Sequence, residues 1–216
     1  MIDLSELPDT PILNPVSVYS LIVLASFAVL GCFVAFKFLR KNATTYDRIT
    51  LTWLIFNVMT RCIFEASWVY YSTFGRTVAT SSGIMVHVWK DYSKADYRWL
   101  VNDPVFLAFE FVVIGLTGPA IFYIIYQIFV DDPTRHFWIV FVCIIEDFAL
   151  WMIVIPEWLT GNQNLNPANF LFRWVYIFFL NAIYGVMATW MTYVSGRIII
   201  RSLKTAAVVS TANKAR

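Results

Sequence analysis

Charged residues are scarce in this chain. Asp, Glu, Lys and Arg make up only 14% of its 216 residues, against roughly a quarter in soluble domains, while 59% of the residues are hydrophobic. The formal net charge of +2 is too small to favour a nucleic-acid partner, and the basic residues stand at the ends of apolar segments. This composition excludes an ordinary soluble domain and indicates an integral membrane protein with no nucleic-acid partner.

Cysteine and histidine are also scarce. Cys32, Cys62 and Cys143 fall within apolar segments without CxxC or Cys/His spacing, so we expect small buried hydrophobic side chains. The two histidines, His87 and His136, are predicted to be solvated loop residues. Motifs of P-loops, dinucleotide folds and GxSxG hydrolases are absent as well. The sequence therefore implies no metal and no cofactor.

Long apolar runs, in contrast, are abundant. Five of them approach or exceed the roughly 20 residues that cross a bilayer, at residues 16–39, 49–71, 104–130, 137–155 and 170–200. The expected fold class is an all-α membrane protein, a five-transmembrane-helix bundle with an intramembrane cavity. We divide the chain into an acidic N-terminal tail, a five-helix domain and a basic C-terminal tail, at residues 1–15, 16–200 and 201–216.

Loop charges predict an orientation for this bundle. Alternating loops bring Arg40, Lys41, Arg48, Arg135 and the basic tail to one side, opposite the acidic N-terminus. Because cytoplasmic loops carry an excess of Lys and Arg, we expect a lumenal N-terminus and a cytoplasmic C-terminus. The polar and aromatic segment 72–103 is expected to cap one mouth of the bundle.

The second apolar run carries a polar stripe. Asn57, Arg61 and Glu65 follow one another at four-residue steps and share one face of a regular helix. A charge at bilayer depth costs about 2.5 kcal/mol or more, so Arg61 and Glu65 should face the bundle interior as an ion pair. The pair is either purely structural or part of a site. Further polar residues at similar depth favour a site, namely Glu110, Glu146, Asp147 and Asn181.

Four short motifs carry a resemblance to a known family. They are FEASW at residues 64–68, WKDYSKAD at residues 89–96, Glu110 followed by Gly118-Pro119, and FLNA at residues 179–182. Over roughly residues 53–196 the chain resembles the emopamil-binding protein family, the sterol Δ8-Δ7 isomerases and relatives that share the EXPERA domain. The resemblance implies five helices in the endoplasmic-reticulum membrane, around a cavity where acidic residues meet a terpenoid or sterol skeleton that passes through a carbocation. By this resemblance the expected catalytic residues are Glu110, Glu65, Asn181 and Asp147.

Two positions depart from the sterol isomerases that the chain resembles. Arg61 stands where they have a His four residues before the first Glu, and Tyr184 stands where they have a Trp three residues after the Asn. Arginine stays protonated near neutral pH and cannot shuttle a proton. Other relatives in the superfamily are membrane-bound terpenoid cyclases, and others bind sterols or cationic amphiphiles without turnover.

Isomerisation and cyclisation both need an acid, a base and a dry cavity that tolerates a cation. Desolvation favours the neutral form of a carboxyl, so Glu110, with no basic residue within a helical turn, is the candidate acid. Arg61 would hold Glu65 as the carboxylate, and Asn181 would orient the acid or bind a substrate oxygen. We expect four further side chains to bind substrate, namely Arg61, Tyr184, Asn57 and Trp68.

The leading prediction is an intramembrane isomerase or cyclase that acts on a prenylated or epoxidised terpenoid, that is, a membrane-bound terpenoid cyclase. The alternatives are a sterol Δ8-Δ7 isomerase and a non-catalytic membrane protein that binds sterols or cationic amphiphiles. The expected partners are a hydrophobic terpenoid or sterol-like substrate and membrane lipid. The oligomeric state stays open, with a homodimer as one alternative.

Overall fold

The fold is a bundle of α-helices, and the computed structural model of the protein describes residues 13–214. Within that range the helices are α1 (Pro15–Lys37), α2 (Thr45–Tyr71), α3 (Ile84–Tyr92), α4 (Pro104–Val130), α5 (Arg135–Leu159) and α6 (Leu171–Lys214). All except α3 are long and apolar enough to cross a membrane. The predicted all-α membrane protein with five spans is confirmed. Residues 1–12 of the predicted acidic tail lie outside the described residues.

Polar caps set the start of the first three spans. Asn14 caps α1, Thr44 and Asp47 form a capping box at α2, and Asp103 caps α4. A proline follows Asn14 and Asp103 at the first helical position, where no backbone N–H donor is needed. These side chains accept hydrogen bonds from one or two of the free backbone N–H groups in the first turn of each helix.

Close helix contacts give the order of the spans around the bundle. α1 packs along α2, α4 lies against both α2 and α5, and α5 packs along α6. Gly31 permits the first contact, since a Cβ there would lie 2.5 Å from the Thr52 backbone carbonyl oxygen. Between α5 and α6, a Cβ at Gly185 would lie 2.5 Å from Cδ2 of the Leu150 side chain. Small residues at such crossings let membrane helices approach closely.

The segment between α2 and α4 covers one end of the bundle. α3 and the short 3₁₀ turn Tyr97–Trp99 pack their indole rings on α2, with Trp68 and Trp99 centroids 4.9 Å apart and Trp89 and Trp99 centroids 5.1 Å apart. These rings belong to one buried cluster with Phe106 and Phe109 of α4. The aromatic cluster forms one wall of the cavity described below.

Some details differ from the expectations. Residues 201–214, predicted as a tail, continue α6 as an exposed helix. His87 lies within α3, and His136 lies in the first turn of α5, where it is buried with Nδ1 3.0 Å from Ser195 Oγ. Cys143 is buried as expected, whereas two cysteines expected to be buried, Cys32 and Cys62, are exposed on the apolar periphery of the spans. Apolar sequence context alone does not distinguish a core position from a lipid-facing one.

Three of the spans contain a π-helical segment. These are Arg61–Glu65 in α2, Val113–Thr117 in α4 and Leu171–Phe179 in α6. Their backbone bonds reach back five residues, as from the Ala66 N–H to the Arg61 carbonyl, which widens the turn by one residue. Such segments are rare in proteins overall, and those that occur often lie at functional sites. Each of the three contributes side chains to the same cavity.

Candidate active site

A cavity with an empty volume of about 1130 Å³, its opening included, lies inside the bundle. All six helices contribute to its wall, which is mostly aromatic and aliphatic, as is usual for sites that take an apolar ligand. The charged and amide groups of the wall are Arg61, Glu65, Glu110, Glu146 and Asn181, and Tyr184 is one of several hydroxyl groups beside them. All of these except Glu146 are among the site residues that the sequence predicts.

Arg61 stands at the centre of the polar groups. It is only 2% exposed, and its Nη1 donates to Glu65 Oε2 at 3.2 Å, so the expected pair inside the bundle is present. Its Nη2 donates to Glu146 Oε1 at a shorter 2.7 Å. One guanidinium thus serves two carboxylates from two different helices.

Glu146 is a site residue that the sequence reasoning did not select. The sequence distinguishes it only by its depth in the span, yet it lines the cavity and is 5% exposed. Asn57 Nδ2 donates to its Oε1 at 2.5 Å, so Asn57 supports Glu146 instead of lining the cavity itself. The polar stripe on α2 was the feature of the sequence that could have predicted Glu146. A buried Asn and a buried Arg one turn apart need a hydrogen-bond acceptor, and a facing helix can supply it.

Glu110 lies in the same cavity without such support. Its side chain is buried, 4% exposed, and the described part of the chain offers its Oε2 no hydrogen-bond partner. It lies close enough to Glu65 and Arg61 for their charges to act on it. An unpaired buried carboxylate costs far more free energy than the neutral acid. Glu110 therefore has the surroundings of a carboxyl that can present its proton to a ligand.

Asn181 and Tyr184 reach the cavity from α6. The Asn181 amide donates to the backbone carbonyls of Tyr176 (3.1 Å) and Ile177 (2.8 Å), which uses both of its N–H donors and leaves Oδ1 as the atom that can accept from a ligand. Among residues 13–214 the Asn181 side chain makes no hydrogen bond to the Glu110 carboxyl, so the structure does not show the expected orientation of the acid by Asn181. The buried Tyr184 hydroxyl has no partner within that range.

Three predicted site residues, Asp147, Trp68 and Asn57, lie outside the cavity. Asp147 sits between α5 and α6, with its carboxylate oxygens 3.4 and 3.5 Å from Thr189 Oγ1, because neighbouring side chains on a helix point about 100° apart and Glu146 takes the inward direction. Trp68 is fully buried behind the wall and donates from Nε1 to the Trp99 carbonyl at 2.8 Å. The catalytic role expected of Asp147 and the substrate contacts expected of Trp68 and Asn57 are therefore not supported by their positions.

The WKDYSKAD motif has a structural centre in Asp91. This carboxylate accepts from Asn14 (2.5 Å), Ser17 (2.7 Å) and Tyr176 (3.0 Å), and Lys94 lies 3.2 Å away. Burial by itself would raise the pKa of Asp91, but these hydrogen bonds and the Lys94 charge hold the pKa below its usual value. Asp91 thereby joins α1, α3 and α6 beside the cavity.

The fold and the cavity define an integral membrane protein of five spans with a carboxyl-lined internal site. The profile of the EBP family, described as EXPERA (EXPanded EBP superfamily), matches residues 84–195, which is more than half of the chain. The chain belongs to this superfamily, as its motifs predicted.

Individual relatives carry enzyme names. The 3-beta-hydroxysteroid-Delta(8),Delta(7)-isomerase of Cavia porcellus is 20% identical over 172 residues, which are 77% of this chain and 74% of the relative. The probable 3-beta-hydroxysteroid-Delta(8),Delta(7)-isomerase of Oryza sativa subsp. japonica is 28% identical over 149 residues, 69% of this chain and 66% of the relative. These names support the expectation that the chain is an isomerase.

Proposed function

We propose that this protein is an intramembrane isomerase that moves a double bond in a hydroxysteroid-like ring skeleton. The observation that carries the proposal is that Glu110, whose Oε2 has no hydrogen-bond partner among residues 13–214, lies in the same apolar cavity as the ion-paired Glu65. A Δ8-to-Δ7 shift adds a proton to one carbon of the double bond, places the positive charge on the other, and removes a proton from the adjacent ring carbon. One proton enters and one leaves, so the reaction needs no cofactor.

The residues divide this chemistry between two carboxyl groups. Glu110 donates the first proton, and Glu65, kept as a carboxylate by Arg61, accepts the second. Aromatic faces on the wall, such as Trp89 and Phe109, stabilise the intermediate cation by about 0.5 to 2 kcal/mol each. Asn181 Oδ1 is available to accept a hydrogen bond from a substrate hydroxyl.

Arg61 favours a second candidate, the membrane-bound terpenoid cyclase. A fixed guanidinium occupies the position where the sterol isomerases that the chain resembles have histidine. The same acid could protonate an epoxide or alkene, after which a second double bond of the substrate attacks the cation and a ring closes. The two candidates share the donor and differ in the substrate.

The test uses membranes from a host that lacks its own sterol isomerase. With a Δ8 sterol in deuterated water, we expect a Δ7 product that carries one deuterium, formed by the wild-type protein and not by Glu110→Gln. Cyclisation of a prenylated epoxide with no change in the Δ8 sterol would assign the second candidate instead. Saturable sterol binding without turnover of either substrate would leave the non-catalytic alternative.

For the location, we propose the endoplasmic-reticulum membrane with a lumenal N-terminus. The basic groups Arg40, Lys41, Arg48 and Arg135 support this orientation, since they lie in or beside the two loops that share one side. An engineered Asn-X-Ser acceptor within residues 1–12 should be glycosylated, and one added after residue 216 should not. Glycosylation of only the C-terminal acceptor would reverse the topology.

A further inference from the structure

Glu65 and Glu146 hold Arg61 unequally. The Glu146 contact is 2.7 Å long and the Glu65 contact 3.2 Å, and the Glu146 side chain is 3% exposed against 15% for Glu65. Asn57 adds a hydrogen bond of 2.5 Å to Glu146. Both carboxylates line the cavity, but Glu146 has two donors at short range and is almost fully buried, whereas Glu65 has one longer contact and is more exposed.

This asymmetry determines how strongly each carboxylate keeps its charge. A carboxylate that alone faced the guanidinium would be held in its ionised form and would accept a proton poorly. In this cluster the charge of Arg61 is balanced by Glu146, which lies across the helix interface. Glu65 shares a guanidinium whose charge Glu146 already balances in part, so Glu65 stays a carboxylate but keeps more of the basicity that a proton acceptor needs.

We infer that Glu146 is a positioning residue, the fixed counter-ion of Arg61, and that it leaves Glu65 free to accept the substrate proton. The inference rests on the proposed function, because it explains how a site for proton transfer can contain an arginine: Glu146 balances the arginine charge. Glu146 acts through Arg61 and exchanges no proton itself.

Other titratable groups face this cluster from the elements around it. They are Tyr92 of α3, Glu110 of α4, Cys143 of α5, and Tyr176 and Tyr184 of α6. In α1 the part that lines the cavity, Ser20, Leu21 and Leu24, carries no titratable side chain. Among the carboxyl groups, Glu65 and Glu110 are the two that the proposed reaction protonates or deprotonates.

The experiment compares Glu146→Gln with wild type in the full-length protein, using a Δ8 sterol as substrate and measuring turnover against pH. Gln keeps the volume and an acceptor for Asn57 and Arg61 but removes the charge, so Arg61 pairs with Glu65 alone. We expect the acid limb of the pH profile to move down by about one unit, because an opposite charge nearby favours the carboxylate. Turnover should fall about tenfold or less, a small part of the 10²- to 10⁴-fold contribution of proton transfer.

The double variant Arg61→Gln with Glu146→Gln removes both charges and should return the acid limb to the wild-type position. It also keeps the test valid if the single variant folds poorly. Asp147→Asn is the matched control, a neighbouring carboxyl outside the cavity, and should leave the profile unchanged. A folded Glu146→Gln protein with the wild-type profile overturns the inference, as does a loss equal to that of Glu65→Gln with no shift.

A second measurement needs no substrate. In infrared difference spectra, Glu146→Gln should remove an ionised carboxylate band, because Glu146 is the counter-ion of Arg61, and loss of a protonated carboxyl band instead overturns the inference. In the turnover assay, the variants Glu65→Gln and Glu110→Gln are measured together with Glu146→Gln. If both turn over like wild type, the proposed function fails; if both are inactive and Glu146→Gln behaves as wild type, only the role of Glu146 fails.

Discussion

Glu110→Gln should reduce product formation by about 10²-fold or more, the usual effect of losing a general acid, while the protein stays as stable as wild type. The glutamine keeps the size of the side chain and removes the proton. Because no residue in the described range bonds to Glu110 Oε2, the change breaks no hydrogen bond of that atom in the bundle. The measurement is turnover per folded protein in membranes, with thermal unfolding in detergent as the stability readout.

Glu65→Gln is the matched comparison for this prediction. From the sequence alone, the loss of Glu65 would be expected to leave Arg61 unpaired and the bundle destabilised. The 2.7 Å contact with Glu146 removes that expectation, so Glu65→Gln should also fold. If Glu110→Gln turns over normally and Glu65→Gln is folded and inactive, the donor is Glu65.

The largest loss of stability is expected from Arg61→Met. This change leaves the buried Glu146 and the partly buried Glu65 without their cation, and breaking a buried ion pair in this way costs about 3–5 kcal/mol. The free energy of unfolding in detergent, from denaturant titration, gives the result directly. The exposed Arg201 provides the control, since Arg201→Met should change the stability by about 0.5 kcal/mol or less.

A compensating variant separates charge from packing at this position. Replacing both Arg61 and Glu146 with Met removes the cation and its fixed counter-ion together, and hydrophobic replacement of a buried pair is often neutral or stabilising. We expect the double variant to regain most of the stability lost in Arg61→Met. An Arg61→Met protein as stable as wild type would contradict the view that Arg61 holds both carboxylates.

The spans could be predicted from hydropathy because a bilayer requires long apolar helices, and the stripe on α2 correctly placed Arg61 and Glu65 in the interior. The choice between Glu146 and Asp147 could not be made this way. Adjacent residues on one helix point in different directions, and the inward direction depends on the rotation of α5 against α2 and α6. The partner of Arg61 is fixed by tertiary packing.

The roles of Trp68 and Asp91 show the same limit in a different form. Both lie in motifs that carry the family resemblance. A motif gives the place of a residue in the sequence but does not show which residues it contacts in the fold. Trp68 binds the Trp99 carbonyl, and Asp91 joins three helices. Residues of a shared motif can therefore hold the walls of a site without touching its ligand.

The π-helical segment at Arg61–Glu65 also affects which insertions and deletions the α2 span can accommodate. A π turn is the form in which an α-helix absorbs one inserted residue while the helix on each side keeps its faces. Deleting one residue there should return the segment to regular α-helix and leave Thr45–Thr60 and Ala66–Tyr71 packed as before, yet it would turn the polar side chains within the segment away from the cavity. A one-residue gap at this point in a homologue would accordingly mark the loss of the site within an intact span.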